Sequence, residues 1–193
     1  MSHDSQQAPS QRRSFPGWSW VVVALAFPVA GYIGWQISGP VDTVVSALIG
    51  GAITGAGLAA VQWWAAKGAL GRPAAWISAS AAAYAAGLAA GAALVGYHTD
   101  LGSLALMGLV SGASLGAAQG LVLARQGDTR LAAAWAAAMP VLFGLGWVAT
   151  TAIGVSVDNQ FTVFGAAGAI LFMLLSGLLL ARLTPPSTPM ASS

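Results

Sequence analysis

The chain has no cysteine and no glutamate in 193 residues, two histidines, and charge on only 6% of its positions, against about 25% in a typical soluble domain. Without cysteine there is no disulfide framework, no thiol nucleophile and no thiolate metal site. Every Asp, His, Lys and Arg falls outside the long apolar stretches, so a proton relay or a voltage sensor has no ionisable group at membrane depth. His3 and His98 lie outside those stretches too, which excludes haem ligation within a bilayer. His98 stands beside Asp100 without a further ligand at metal spacing in its own connection. No Ser-His pairing occurs, and no glycine loop opens a helix after a strand to cradle phosphate. These absences point to a protein that is not an enzyme and carries neither cofactor nor metal.

What remains is 57% apolar. Six stretches contain no Asp, Glu, Lys, Arg or His: 18–37, 43–66, 73–96, 101–124, 131–153 and 161–181. Each has the roughly 17–25 residues needed to cross about 30 Å of hydrocarbon. The expected fold is all-α, with six transmembrane helices in one domain over residues 16–183. Residues 1–15 and the proline-containing 184–193 are expected to be disordered and cytoplasmic.

All seven basic residues fall on one side of that arrangement: Arg12, Arg13, Lys67, Arg72, Arg125, Arg130 and Arg182. By the positive-inside rule that side is cytoplasmic and both termini lie inside, as expected of a protein in the inner membrane of a prokaryote. The net charge of +2 therefore belongs to one membrane-proximal face, which attracts anionic lipid, and is no nucleic-acid signal. Arg12-Arg13 precedes an apolar run longer than a signal peptide's and without a small-residue cleavage site, so the pair reads as a topology anchor.

The chain also repeats itself. Asp42, Asp100 and Asp158 are 58 and 58 residues apart, and each stands at the start of an apolar stretch that closes on Lys67, Arg125 or Arg182. Gly120-Leu121-Val122-Leu123-Ala124-Arg125 returns 57 residues later as Gly177-Leu178-Leu179-Leu180-Ala181-Arg182. Pro28, Gly34 and Trp35 return as Pro140, Gly146 and Trp147, 112 residues on. Three tandem two-helix repeats in parallel orientation imply pseudo-threefold symmetry about the membrane normal, with equivalent residues forming rings.

Within a bilayer, helices associate through small residues that let backbones approach. Gly108, Gly112, Gly116 and Gly120 follow strict four-residue spacing, and Gly51 and Gly55 share the pattern in the second stretch. This glycine zipper serves packing within the bundle or a seam between copies. Trp18, Trp20, Trp63, Trp64, Trp76 and Trp135 cluster near the cytoplasmic ends and read as interfacial anchors. Gln62, Gln119 and Ser176 are repeat-equivalent and define an inner polar ring, either interhelical glue or a constriction for a solute. Asp42, Asp100 and Asp158 are helix caps, or an outer acidic ring at a pore mouth.

Three tandem hairpins resemble the mitochondrial carriers in outline, although the helix-ending Pro-x-acidic-x-x-basic signature is missing. Six helices in about this length are similar to the vitamin-binding components of energy-coupling-factor transporters, with no motif that carries the match. The reading favoured by composition is a tightly packed accessory or scaffolding protein whose partners are membrane lipid, further copies of itself or another membrane protein. The alternative is a channel or transporter for a small solute or cation along the pseudo-threefold axis.

Overall fold

A computed structural model of the chain describes residues 17–66 and 70–183. Among them are a 3-10 turn at Gly17–Trp20 and six helices: α1 (Val21–Ser38), α2 (Val44–Ala65), α3 (Pro73–Leu94), α4 (Leu101–Ala124), α5 (Thr129–Ala152) and α6 (Ala166–Leu183). All six are long and apolar enough to cross a membrane. Lys67, Arg12, Arg13, the segment 1–15 and the tail 184–193 lie outside the described residues.

Helix starts follow local chemistry. Thr43 opens α2 through a capping box with Ser46, Asp100 caps α4 by accepting the Ser103 N–H at 3.0 Å, and Asp128 caps α5 by accepting the Leu131 N–H at 3.1 Å. Pro73 opens α3 at a position where its missing N–H is harmless. Stops follow chemistry as well: the chain leaves α4 and α5 through Gly127 at φ 86° and Gly154 at φ 78°, a left-handed backbone that suits glycine. Pro28 and Pro140 lie inside α1 and α5, which continue through them.

Each helix packs on its sequence neighbours and α6 closes on α1, so the six form a ring. One end is tied by Gln126, whose Nε2 donates to Leu70 O at 2.9 Å and joins the α2–α3 and α4–α5 connections. The other end is tied by Gln160, which joins the remaining three connections. Its carbonyl accepts the Val41 N–H at 2.9 Å, and its Nε2 donates to Tyr97 O at 2.9 Å. The exposed Arg72, Arg125, Arg130 and Arg182 belong to the first end, and Asp42, Asp100 and Asp158 to the second.

Burial is one-sided. On α1, Leu25, Val29, Ile33 and Ile37 stand four residues apart and are all exposed, while Val23, Phe27, Ala30 and Gly34 turn inward. Only 33–50% of each span is buried within the molecule, so half or more of each lies outside the buried core. Lipid is the solvent that matches such a surface.

Two expectations need correction. The sixth helix begins at Ala166 rather than at 161, and Asp158 stands eight residues ahead of it. Residues 153–165 instead form an irregular connection that turns inward, burying Thr162, Val163 and Phe164 completely or nearly so. Irregular backbone at membrane depth is tolerated where protein surrounds it. Nor does Asp42 open α2, since the cap is Thr43 and Asp42 lies one residue outside it. Asp100 alone of the three aspartates caps a helix.

Candidate functional site

The interior holds a polar cluster at the basic end and an aromatic plug toward the middle. Trp20 precedes α1, Trp76 lies on the first turn of α3, and Trp135 on the second turn of α5. These helices are not sequence neighbours, yet their indoles meet: Trp20 and Trp135 pack edge to face at 6.4 Å, and Trp76 and Trp135 at 6.4 Å. All three are fully buried or nearly so, which corrects their assignment as interfacial anchors. Trp18 and Trp64 are exposed as an anchor should be, and the partly buried Trp63 donates to Gly71 O at 2.7 Å.

Gln119 on α4 is the hub of the polar cluster. Its Oε1 accepts from Trp135 Nε1 at 2.7 Å, and its Nε2 donates to Ser80 Oγ at 2.9 Å and to Gln62 Oε1 at 3.2 Å. The expected meeting of Gln62 with Gln119 is thus direct. Ser176 joins only at one remove: Trp20 Nε1 donates to its hydroxyl at 3.1 Å, and Trp20 in turn packs on Trp135. Gln62, Gln119, Ser80 and Ser176 are all buried. Buried amides and hydroxyls require such pairing, and these hydrogen bonds link α2, α3, α4 and α5.

Above the indoles the interior is filled by rings. Phe27 of α1 stacks on Phe164 at 4.8 Å and meets Phe172 of α6 at 4.8 Å, while Phe143 of α5 contacts Tyr84 of α3 at 5.5 Å and Phe164 at 5.4 Å. The inward-turned connection seals the acidic end. Tyr84 donates to Thr162 O at 2.7 Å, the hydroxyls of Thr54 and Thr162 lie 2.8 Å apart, and Thr162 Oγ1 donates to Gly31 O at 3.1 Å. A cavity of about 230 Å³ between α1, α5 and this connection, lined by Pro28, Tyr32, Trp147 and Phe161 among others, opens on the outer surface. So does one of about 210 Å³ between α1 and α2.

The glycines lie in contacts between helices of this chain. A Cβ at Gly112 would stand 2.5 Å from Met139 O and 2.8 Å from Pro140 Cα, and Gly108, Gly116 and Gly120 also face α5. Gly51 and Gly55 face α3 around Tyr84 and Ala85. Each aspartate takes a hydrogen bond from a serine of its own segment, Asp42 from Ser46, Asp100 from Ser103 and Asp158 from Ser156. The Ser103 hydroxyl, aided by the Ser103 N–H, holds the Asp100 carboxyl below the ordinary carboxylate range.

Ser80, Thr54, Tyr84, Thr162 and the cap Asp128 escape a reading by repeats of charge. One signal was available for the aromatics: Trp20, Trp76 and Trp135 are 56 and 59 residues apart, and Phe27, Tyr84 and Phe143 are 57 and 59, close to the 57-residue offset of the glycine-leucine motif.

Six helices long and apolar enough to cross a membrane, each packed on its neighbours, define a polytopic helical membrane protein. No protein-family model, curated protein or solved structure matches the chain.

Proposed function

We propose that this protein is a non-catalytic, non-conducting inner-membrane protein that works by lateral contact, as an accessory or scaffolding subunit against lipid or a membrane partner. The observation that carries this reading is the filled interior. Rings from α1, α3, α5 and α6 touch one another, and inner polar groups are hydrogen-bonded to each other. The glycine faces of α2 and α4 are used inside the bundle, so a partner would meet the branched apolar exterior.

Pseudo-threefold organisation belongs to the same proposal. Trp135 donates to Gln119 on the preceding helix, and Trp20 donates to Ser176 on the helix that precedes α1 around the ring. The spacing of the tryptophans and of their partners by about one repeat supports a common origin of the pairs. The exposed Arg72, Arg125, Arg130 and Arg182 at one end support, by the positive-inside rule, a cytoplasmic location for that end in a prokaryotic inner membrane.

One feature favours a second reading, transport of a small solute or cation. The break ahead of α6 puts irregular backbone inside the bundle, a construction that transporters use at their binding sites. Flux from proteoliposomes decides between the two. The expected result is potassium and glycerol release no faster than from protein-free vesicles, together with co-purification of a stoichiometric partner or self-association in mild detergent. Flux above background that falls when Asp42→Asn, Asp100→Asn and Asp158→Asn are combined would establish a cation path instead. Purification as an isolated monomer would remove the scaffold reading.

A further inference from the structure

Trp76 breaks the pattern set by the other two buried indoles. Trp135 and Trp20 each have a direct acceptor, at 2.7 and 3.1 Å. Trp76 is completely buried, and its Nε1 is the buried side-chain polar atom without a partner among the described residues. By position its acceptor is Gln62, the residue that corresponds to Gln119 on the preceding helix. Gln62 Oε1, however, is turned to Gln119 Nε2 at 3.2 Å and makes no hydrogen bond with Trp76. An unpaired indole N–H is strongly disfavoured where bulk water is absent.

Ser80 lies one helical turn beyond Trp76 on the same face of α3. Its Oγ and Gln62 Oε1 are both bound to the single Gln119 Nε2, at 2.9 and 3.2 Å, so the hydroxyl and the amide oxygen converge on one spot, one helical turn along α3 from the unpaired indole. We propose that Trp76, Gln62 and Ser80 enclose one buried water molecule, which accepts from the indole N–H and donates to the free lone pairs of Gln62 Oε1 and Ser80 Oγ. The site offers both donors and acceptors, as a water with about three hydrogen bonds requires. A halide would accept from the same indole, but the basic residues within the spans, Arg130 and Arg182, are exposed near helix ends, so among the described residues no buried cation offsets its charge there. The inference is independent of whether the protein works by contact or by transport.

The test is nuclear magnetic resonance of the full-length protein in lipid nanodiscs with nitrogen-labelled tryptophan, each of the eight indole signals being assigned through its own backbone amide. The expected result is a cross-relaxation peak between the Trp76 indole proton and water, slow to exchange with bulk, that Trp135 lacks. Gln62→Leu should remove or weaken this peak several-fold, as should Ser80→Ala. Where neither variant folds, the wild-type spectrum decides. A Trp76 proton without a water peak, whether bonded directly to Gln62 or unpaired, overturns the proposal. So does a Trp76 signal that moves when chloride is exchanged for gluconate, since that identifies an anion as the guest.

Discussion

Gln119 shows how one side chain can hold four elements together. Its two amide ends join α2 through Gln62, α3 through Ser80 and α5 through Trp135 to its own helix α4. Gln119→Leu removes the hub at similar volume, strands the Trp135 indole N–H and takes one hydrogen bond each from the Gln62 amide oxygen and the Ser80 hydroxyl. Each buried group left unpaired costs about 1–3 kcal/mol. A clear fall in the midpoint of thermal unfolding in detergent is expected, and an unchanged midpoint would mean that the cluster contributes nothing to stability. Asp100 gives a second prediction at this scale. Its carboxyl is held below the ordinary 3.8 in the folded state, so the cap stabilises fully above that value and its contribution is lost as pH falls through the lowered one. Ser103→Ala should bring the Asp100 titration, followed by carboxyl carbon resonances, back toward 3.8; a titration that stays put would assign the shift to the backbone alone.

At the scale of elements, the α4–α5 contact rests on the absence of side chains. The space for a Cβ narrows unevenly along the stripe, from 3.1 Å at Gly120 to 2.7 Å at Gly116 and 2.5 Å at Gly112, the neighbours being mostly backbone that cannot rotate away. Gly112→Ala should therefore destabilise by about 1–3 kcal/mol, the range for overpacking a close contact. Gly120→Ala should do so distinctly less. Equal effects would mean that helix propensity, and not the approach of two backbones, sets the requirement for glycine. The start of α6 is decided by neighbours as well. Residues 161–165 are as free of charge as the helix that follows, and nothing in their hydropathy marks a break. The chain turns inward because Thr162 finds Gly31, Thr54 and Tyr84, and Phe164 finds Phe27, none of them near in sequence.

At the scale of the molecule, the ring places three connections at one end and two at the other, the two ends differing in charge. A chain without cysteine makes this directly testable. His98→Cys and Arg125→Cys, both at exposed positions, should be labelled by an impermeant maleimide from opposite sides of the membrane, with Arg125→Cys reacting from the cytoplasm. Labelling of both from the same side would dismantle the six-span topology, and labelling from the reversed sides would overturn the proposed orientation alone.

The sequence alone determined the class and the number of spans, because a charge or its absence every few residues fixes which segments can leave water, whatever their neighbours. It located five of the six helix starts within about three residues, where caps such as Asp100 and Pro73 act locally. The pairing of Gln62 with Gln119 was legible through the repeat. Only the tertiary structure decided that Trp20, Trp76 and Trp135 are core instead of interface, that Ser176 reaches the cluster through Trp20, and that α6 begins at Ala166 behind an inward-turned connection. The physical reason is that hydrocarbon and protein interior are equally apolar. Hydropathy can show that a residue avoids water, but packing and the satisfaction of each buried N–H and O–H decide whether lipid or another helix replaces it.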